Sequence, residues 1–234
     1  MFANPVPCGL LAALALFIPS HAPAQAAGAV TAINVLIEPD SAAAARARHL
    51  NARLRESYPP GFALDATHAP HVSIVHAFVG TQNLDKVYAA VAKVVATEHP
   101  DKWQLPAIGH EVTPWQGQAL VSINLQRNPE LSRLQANLIA ALAPYLAEQG
   151  SPESFVRTPD SEAIDASTID YVKTFIQKRT GEHYQPHITA GVSSAALAQA
   201  LRSEQPAPFV VTPVAVAVYQ LGQFGTARRK LWSQ

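Results

Sequence analysis

The sequence predicts an α+β fold in which two pseudo-symmetric lobes of strands and helices share one core. Three observations predict it. The chain has 234 residues, 48% of them hydrophobic and 15% charged, which suffices to bury a core without disulfides or a structural metal. Strand-like and helix-like patterns follow the same order in both halves: strand, helix, histidine-bearing strand, helix, strand, with one extra helix in the second. Each half also carries the sequence Pro-His-x-[Ser/Thr] once, at Pro70–Ser73 and Pro186–Thr189. No long or biased linker parts the halves, so a single domain over residues 27–234 is expected, with pseudo-repeats over about 30–126 and 127–234.

Residues 30–40 (VTAINVLIEPD) read as a strand, and residues 41–58 as a helix capped by Asp40 or Ser41 and closed by Pro59-Pro60-Gly61. The His71 strand follows. Behind an Asn83 cap, Leu84, Val87, Val91 and Val94 recur at helical spacing. Residues 104–112 and 118–126 read as strands joined by a turn over 114–117. After Asn128-Pro129, a cap and first-turn pair, Leu131, Leu134, Leu138, Leu142 and Leu146 form the apolar stripe of a helix. Residues 150–165 are polar and broken by prolines, hence a surface loop. A helix over 167–179 turns Ile169, Val172, Phe175 and Ile176 inward and stops at Gly181, ahead of the His187 strand. A short serine-capped helix near residues 193–204 and two strands around Gly225 close the chain.

Residues 1–26 contain no charged side chain, an apolar run from Gly9 to Ile18 and then Ala24-Gln25-Ala26. This layout predicts a secretory signal peptide cut after Ala26, although its start lacks the usual lysine or arginine. The run is too short to span a bilayer, so a periplasmic or secreted protein without a membrane anchor is expected after cleavage. Cys8, the only cysteine, lies in that leader, which leaves the mature chain without thiol or disulfide chemistry. Seventeen basic and seventeen acidic residues cancel, which argues against a partner held by charge alone, such as long duplex nucleic acid.

Residues two apart on a strand face the same way, so His71 projects with Ser73, and His187 with Thr189. If the two strands are neighbours, two imidazoles and two hydroxyls line one cavity. That set suits phosphate esters: a neutral imidazole deprotonates the attacking water or hydroxyl, a protonated one protonates the leaving oxygen, and hydroxyls donate to the non-bridging oxygens. Histidine populates both forms near neutrality. No metal or cofactor is required.

His71-Val72-Ser73-Ile74 and His187-Ile188-Thr189-Ala190 resemble the paired H-x-[ST]-x motifs of the 2H phosphoesterase superfamily. That superfamily includes the bacterial 2'-5' RNA ligase / RNA 2',3'-cyclic phosphodiesterase (LigT-like) family. Each motif follows a helix and a proline, and residues 216–233 resemble the family's terminal hairpin. The resemblance implies a bilobal fold with an antiparallel-rich sheet and a central cleft. It also implies metal-independent hydrolysis of 2',3'-cyclic or 2'-5' phosphodiesters, with His71 and His187 as acid and base and Ser73 and Thr189 binding phosphate. A nucleotide or short RNA end is then the ligand, and a monomer the working form. The sequence departs from the pattern in the serine of the first motif, in the small Ala190 of the second, and in its expected export, where most relatives are cytoplasmic.

Other residues carry less. Tyr184 and Lys173 are candidates for substrate binding, and His68 and His183 for the rim of the cleft. His76, five positions after His71, should face the other side of its strand as a structural or surface residue. Trp103 and Trp115 read as core residues. Two rival functions use the same residues. A non-catalytic module would bind a phosphorylated ligand in the same cleft, and an exported metal-binding protein would use His68, His71, His76, His110 and His183, which lack the spacing of a defined site.

Overall fold

The computed structural model describes Met1 and residues 29–115, 117–157, 163–204 and 207–234. Apart from Met1, the expected leader lies outside the described residues. The elements run β1 (Val30–Pro39), α1 (Ser41–Ser57), β2 (Val72–Gly80), α2 (Leu84–Glu98), β3 (Leu105–Trp115), β4 (Gln118–Leu125), α3 (Pro129–Leu142), α4 (Ala166–Lys178), β5 (His187–Ser193), α5 (Ala195–Ser203), β6 (Val210–Val211), β7 (Pro213–Leu221) and β8 (Ala227–Ser233).

Local chemistry sets most helix starts. Asp40 accepts from Ala43 N at 2.9 Å, Asn128 from Leu131 N at 2.8 Å, and Asp165 from Thr168 N at 2.7 Å. Asn83 makes no such bond, because a 3-10 turn over Thr81–Asn83 leads directly into α2. In α3, Leu131, Leu134, Leu138 and Leu142 are fully buried. Each contributes about 2 kcal/mol, against about 1 kcal/mol for the Asn128 cap, so packing outweighs capping in holding this helix. The expected stripe stops one residue short. Ala143–Tyr145 is a 3-10 turn around Pro144, and Leu146 beyond it is 39% exposed.

The strands form one eight-stranded sheet in the order β6-β3-β4-β5-β2-β1-β7-β8, with antiparallel pairing at every step. The order relates β5 to β2, β4 to β1 and β3 to β7 by a pseudo-twofold axis at the β5–β2 seam. By this pairing the second repeat opens at β4, so the division falls in the β3–β4 turn rather than near residue 126. The repeats are exchanged at their ends: β3 completes the second lobe and β7 the first. One face of the sheet carries Ile33, Val35, Ile37, Val72, Ile188 and Ala190 into the main core, packed with side chains of α1, α2, α3 and α5. The opposite face takes α4 and the site.

Candidate active site

The seam between β2 and β5 is narrow, with Val72 opposite Ile188, both buried in the core. Extending that register by one residue each way sets His71 opposite Thr189 and Ser73 opposite His187, all on the other face. Four polar side chains therefore form a two-by-two block across the pseudo-twofold axis. Each is half-buried, where the residues between them are wholly buried.

Both imidazoles are fixed in the same way. His71 Nδ1 donates to the Ala69 carbonyl and His187 Nδ1 to the Gln185 carbonyl, each at 2.7 Å. In both cases the accepting residue precedes a proline, which has no N–H and a fixed φ. With Nδ1 occupied as the donor, Nε2 is the nitrogen left for proton transfer.

Beyond the seam the strand parity changes. On β1, Leu36 pairs with Ser73 but Val35 pairs with Val75, so Ile74 is an extra residue, a β-bulge. Ala190 is the corresponding extra residue on β5, where Ser122 pairs with Thr189 and Val121 with Gly191. The expectation that His76 faces away from His71 is therefore corrected. The bulge returns it to the site face, 2% exposed, with Nε2 3.1 Å from Ser73 Oγ. Asn34 donates to the same oxygen at 2.9 Å.

A second cluster adjoins His71. By the register of β1, Glu38 lies opposite it. Tyr219 donates to Glu38 Oε1 at 2.6 Å, and Lys230 Nζ is also 2.6 Å from that oxygen. Burial lowers the His71 pKa to about 4; His187 pushes the same way, while the Ala69 hydrogen bond and the Glu38 carboxylate oppose it. At the pseudo-equivalent place beside His187 stands Asn124, a neutral amide.

A pair of aromatic rings stands beside the site. Trp115, at the end of β3, meets Phe224, in the β7–β8 loop, edge to face with ring centroids 5.3 Å apart. By the register Trp115 corresponds to Leu221 of β7, three residues before Phe224. Gly225, the residue after Phe224, lies against the His76 ring, where an added Cβ would meet Cε1 at 3.3 Å, so the two rings meet beside the site. Trp115 pairs with Gln118, whose alternation with Ser122 and Asn124 sets it on the site face. Trp115 is thus not the core residue its type suggests. Trp103 does pack against the main core.

The remaining candidates separate. Tyr184 is 3% exposed inside the main core and donates to the Ser73 carbonyl at 3.0 Å, so it supports the strand and offers no ring surface to a ligand. Lys173 is exposed on the side of α4 opposite Tyr171 and Phe175, which face His76. His183 is exposed in the turn before β5. His68 stacks on Phe62 and accepts from Arg228 Nη1 at 2.6 Å, which ties the segment before β2 to β8. Burial and the Arg228 charge lower its pKa. Among the described residues, no group of three or more His, Cys, Asp or Glu side chains is gathered to hold a metal ion. Asn34, Glu38, Tyr219 and Lys230 were not legible as site residues, although an asparagine amid the apolar run of β1 is a signal in itself.

The model of the 2'-5' RNA ligase superfamily matches residues 38–223. No curated protein matches the chain. Among solved structures, TT0787 of Thermus thermophilus is 16% identical with a TM-score of 0.48, over 87% of this chain and 96% of that one. E. coli LigT complexed with ATP is 13% identical with a TM-score of 0.43, over 88% and 97%. E. coli LigT complexed with 3'-AMP is 12% identical with a TM-score of 0.43, over 88% and 98%. From a family match that runs from β1 into the β7–β8 loop and spans both histidine motifs, the chain belongs to the 2'-5' RNA ligase superfamily.

Proposed function

We propose that the protein is a phosphodiesterase that opens 2',3'-cyclic phosphates or cleaves 2'-5' linkages on a nucleotide or short RNA end, with His71 and His187 dividing the proton transfers. One observation carries this reading: two imidazoles on one face, each with Nδ1 tied to a carbonyl two residues back and Nε2 left for chemistry. His71, kept neutral by burial, takes the proton of the attacking water or hydroxyl. His187 supplies the proton that the leaving oxygen takes up as the P–O bond breaks. Ser73 and Thr189 donate to the non-bridging oxygens, where charge accumulates. Export to the periplasm or beyond is proposed from the charge-free, apolar start of the sequence.

Purified protein should hydrolyse 2',3'-cyclic nucleotides in excess EDTA, and His71→Ala and His187→Ala should each lower kcat by about a hundredfold or more. Wild-type turnover in both variants would sink the assignment. Ligand affinity without turnover across cyclic and 2'-5' substrates would instead indicate a binding module.

A further inference from the structure

Ser73 differs from Thr189 in having a partner on two sides. Its Oγ lies 2.9 Å from Asn34 Nδ2 and 3.1 Å from His76 Nε2. Asn34 is 0% and His76 2% exposed, and among the described residues neither Asn34 Oδ1 nor His76 Nδ1 has a hydrogen-bond partner. The His76 ring is enclosed by Phe175, stacked at 4.5 Å, by the edge of Tyr171 at 5.3 Å, and by Gly225, where an added Cβ would meet Cε1 at 3.3 Å.

This enclosure decides the proton positions. Were the His76 proton on Nδ1, a buried N–H would be orphaned; on Nε2, only a bare acceptor is, and orphaned donors are the rarer of the two in folded proteins. Turning the Asn34 amide over would likewise orphan an NH2 group in place of an oxygen. The favoured arrangement has both nitrogens donating to Ser73. A hydroxyl oxygen has two acceptor positions and one proton. Both acceptor positions are filled, and the proton is left to point away from the two donors.

We propose that Asn34 and His76 are positioning residues that occupy both acceptor sites of the Ser73 hydroxyl and commit its proton to a non-bridging oxygen of the phosphoryl group, an inference that rests on the phosphodiesterase reading above. His76 is neutral at neutral pH, since burial lowers its pKa to about 3, so it has one N–H to give. The pseudo-symmetry supplies a comparison within the chain. The counterparts of His76 and Asn34 behind Thr189 are Val192 and Leu120, a pair that cannot hydrogen-bond through side chains. The β-branch of threonine restricts χ1 and so places its oxygen. Serine lacks that restriction, and the Asn34–His76 pair fixes both the place of its oxygen and the direction of its proton.

Imidazole 15N shifts of the wild-type protein test the tautomer directly: a protonated Nε2 with a bare Nδ1 is expected for His76, and the opposite tautomer overturns the proposal. A double-mutant cycle tests the route of action. His76→Phe, which suits the same aromatic enclosure, should lower kcat/KM about tenfold or more, close to Ser73→Ala, and should cost less than about twofold further when Ser73 is already alanine. His76→Gln, which restores a donor, should recover part of the loss. Wild-type activity in a folded His76→Phe protein, or losses that multiply in the double variant, would refute it. If the wild-type protein turns over no cyclic or 2'-5' substrate, the phosphodiesterase reading fails; the tautomer is still read in that inactive protein.

Discussion

A proline ahead of each histidine does local work that a motif alone would not reveal. Pro70 and Pro186 hold the chain so that the carbonyl before each meets Nδ1 of the histidine after it, and the tautomer follows. The four block residues were legible in the sequence because alternation by two is a firm rule and no bulge interrupts the short stretch from His71 to Ser73. His76 was not, since one inserted residue reverses the rule. Tyr184 misled because an aromatic beside the motif can as well serve the core. The Glu38 cluster makes its own prediction. Its carboxylate favours protonated His71, and Lys230 balances that charge at 2.6 Å. Lys230→Met should leave the carboxylate unbalanced, raise the His71 pKa and move the acid limb of kcat/KM upward by up to about one unit; Glu38→Gln should move it downward. A pH–rate series on the three proteins checks both signs, and identical limbs would remove Glu38 from the account.

At the scale of the element, the paired bulges matter more than strand length. Ile74 and Ala190, the last residues of the two motifs, bend both inner strands just where the seam ends. The second bulge is fastened to α1: Asn51 Nδ2 donates to the Ala190 carbonyl at 2.8 Å and the Phe62 carbonyl at 2.9 Å, while its Oδ1 accepts from Leu64 N at 3.0 Å. Gly191, the next residue, has φ +150°, and a Cβ there would stand 2.8 Å from Asn51 Nδ2. Gly191→Ala should therefore destabilise the protein by about 2–4 kcal/mol, from backbone strain and crowding together, as urea unfolding would read. A change under about 0.5 kcal/mol would show the bulge to be soft. Helices α1 to α5 were readable from local signals, apolar stripes and caps, although the Asn83 cap expected for α2 makes no bond. The bulges were not, because they are defined by the partner strand.

Across the whole molecule, the repeated order of strands and helices indicated two similar lobes, and the sheet has a twofold relation at its centre. The exchange of β3 and β7 between lobes was beyond reach of the sequence, since strand pairing partners are set by the closed fold. That exchange sets Trp115, from one repeat, against Phe224, from the other. The two rings latch the end of β3 to the β7–β8 loop, whose Gly225 lies against His76. An edge-to-face pair is worth about 1 kcal/mol, so Trp115→Ala should lower stability by about that amount, as urea unfolding would read. An unchanged midpoint would mean that the rings part freely. The latch ties repeat to repeat, a bond the chain acquires only once both have folded.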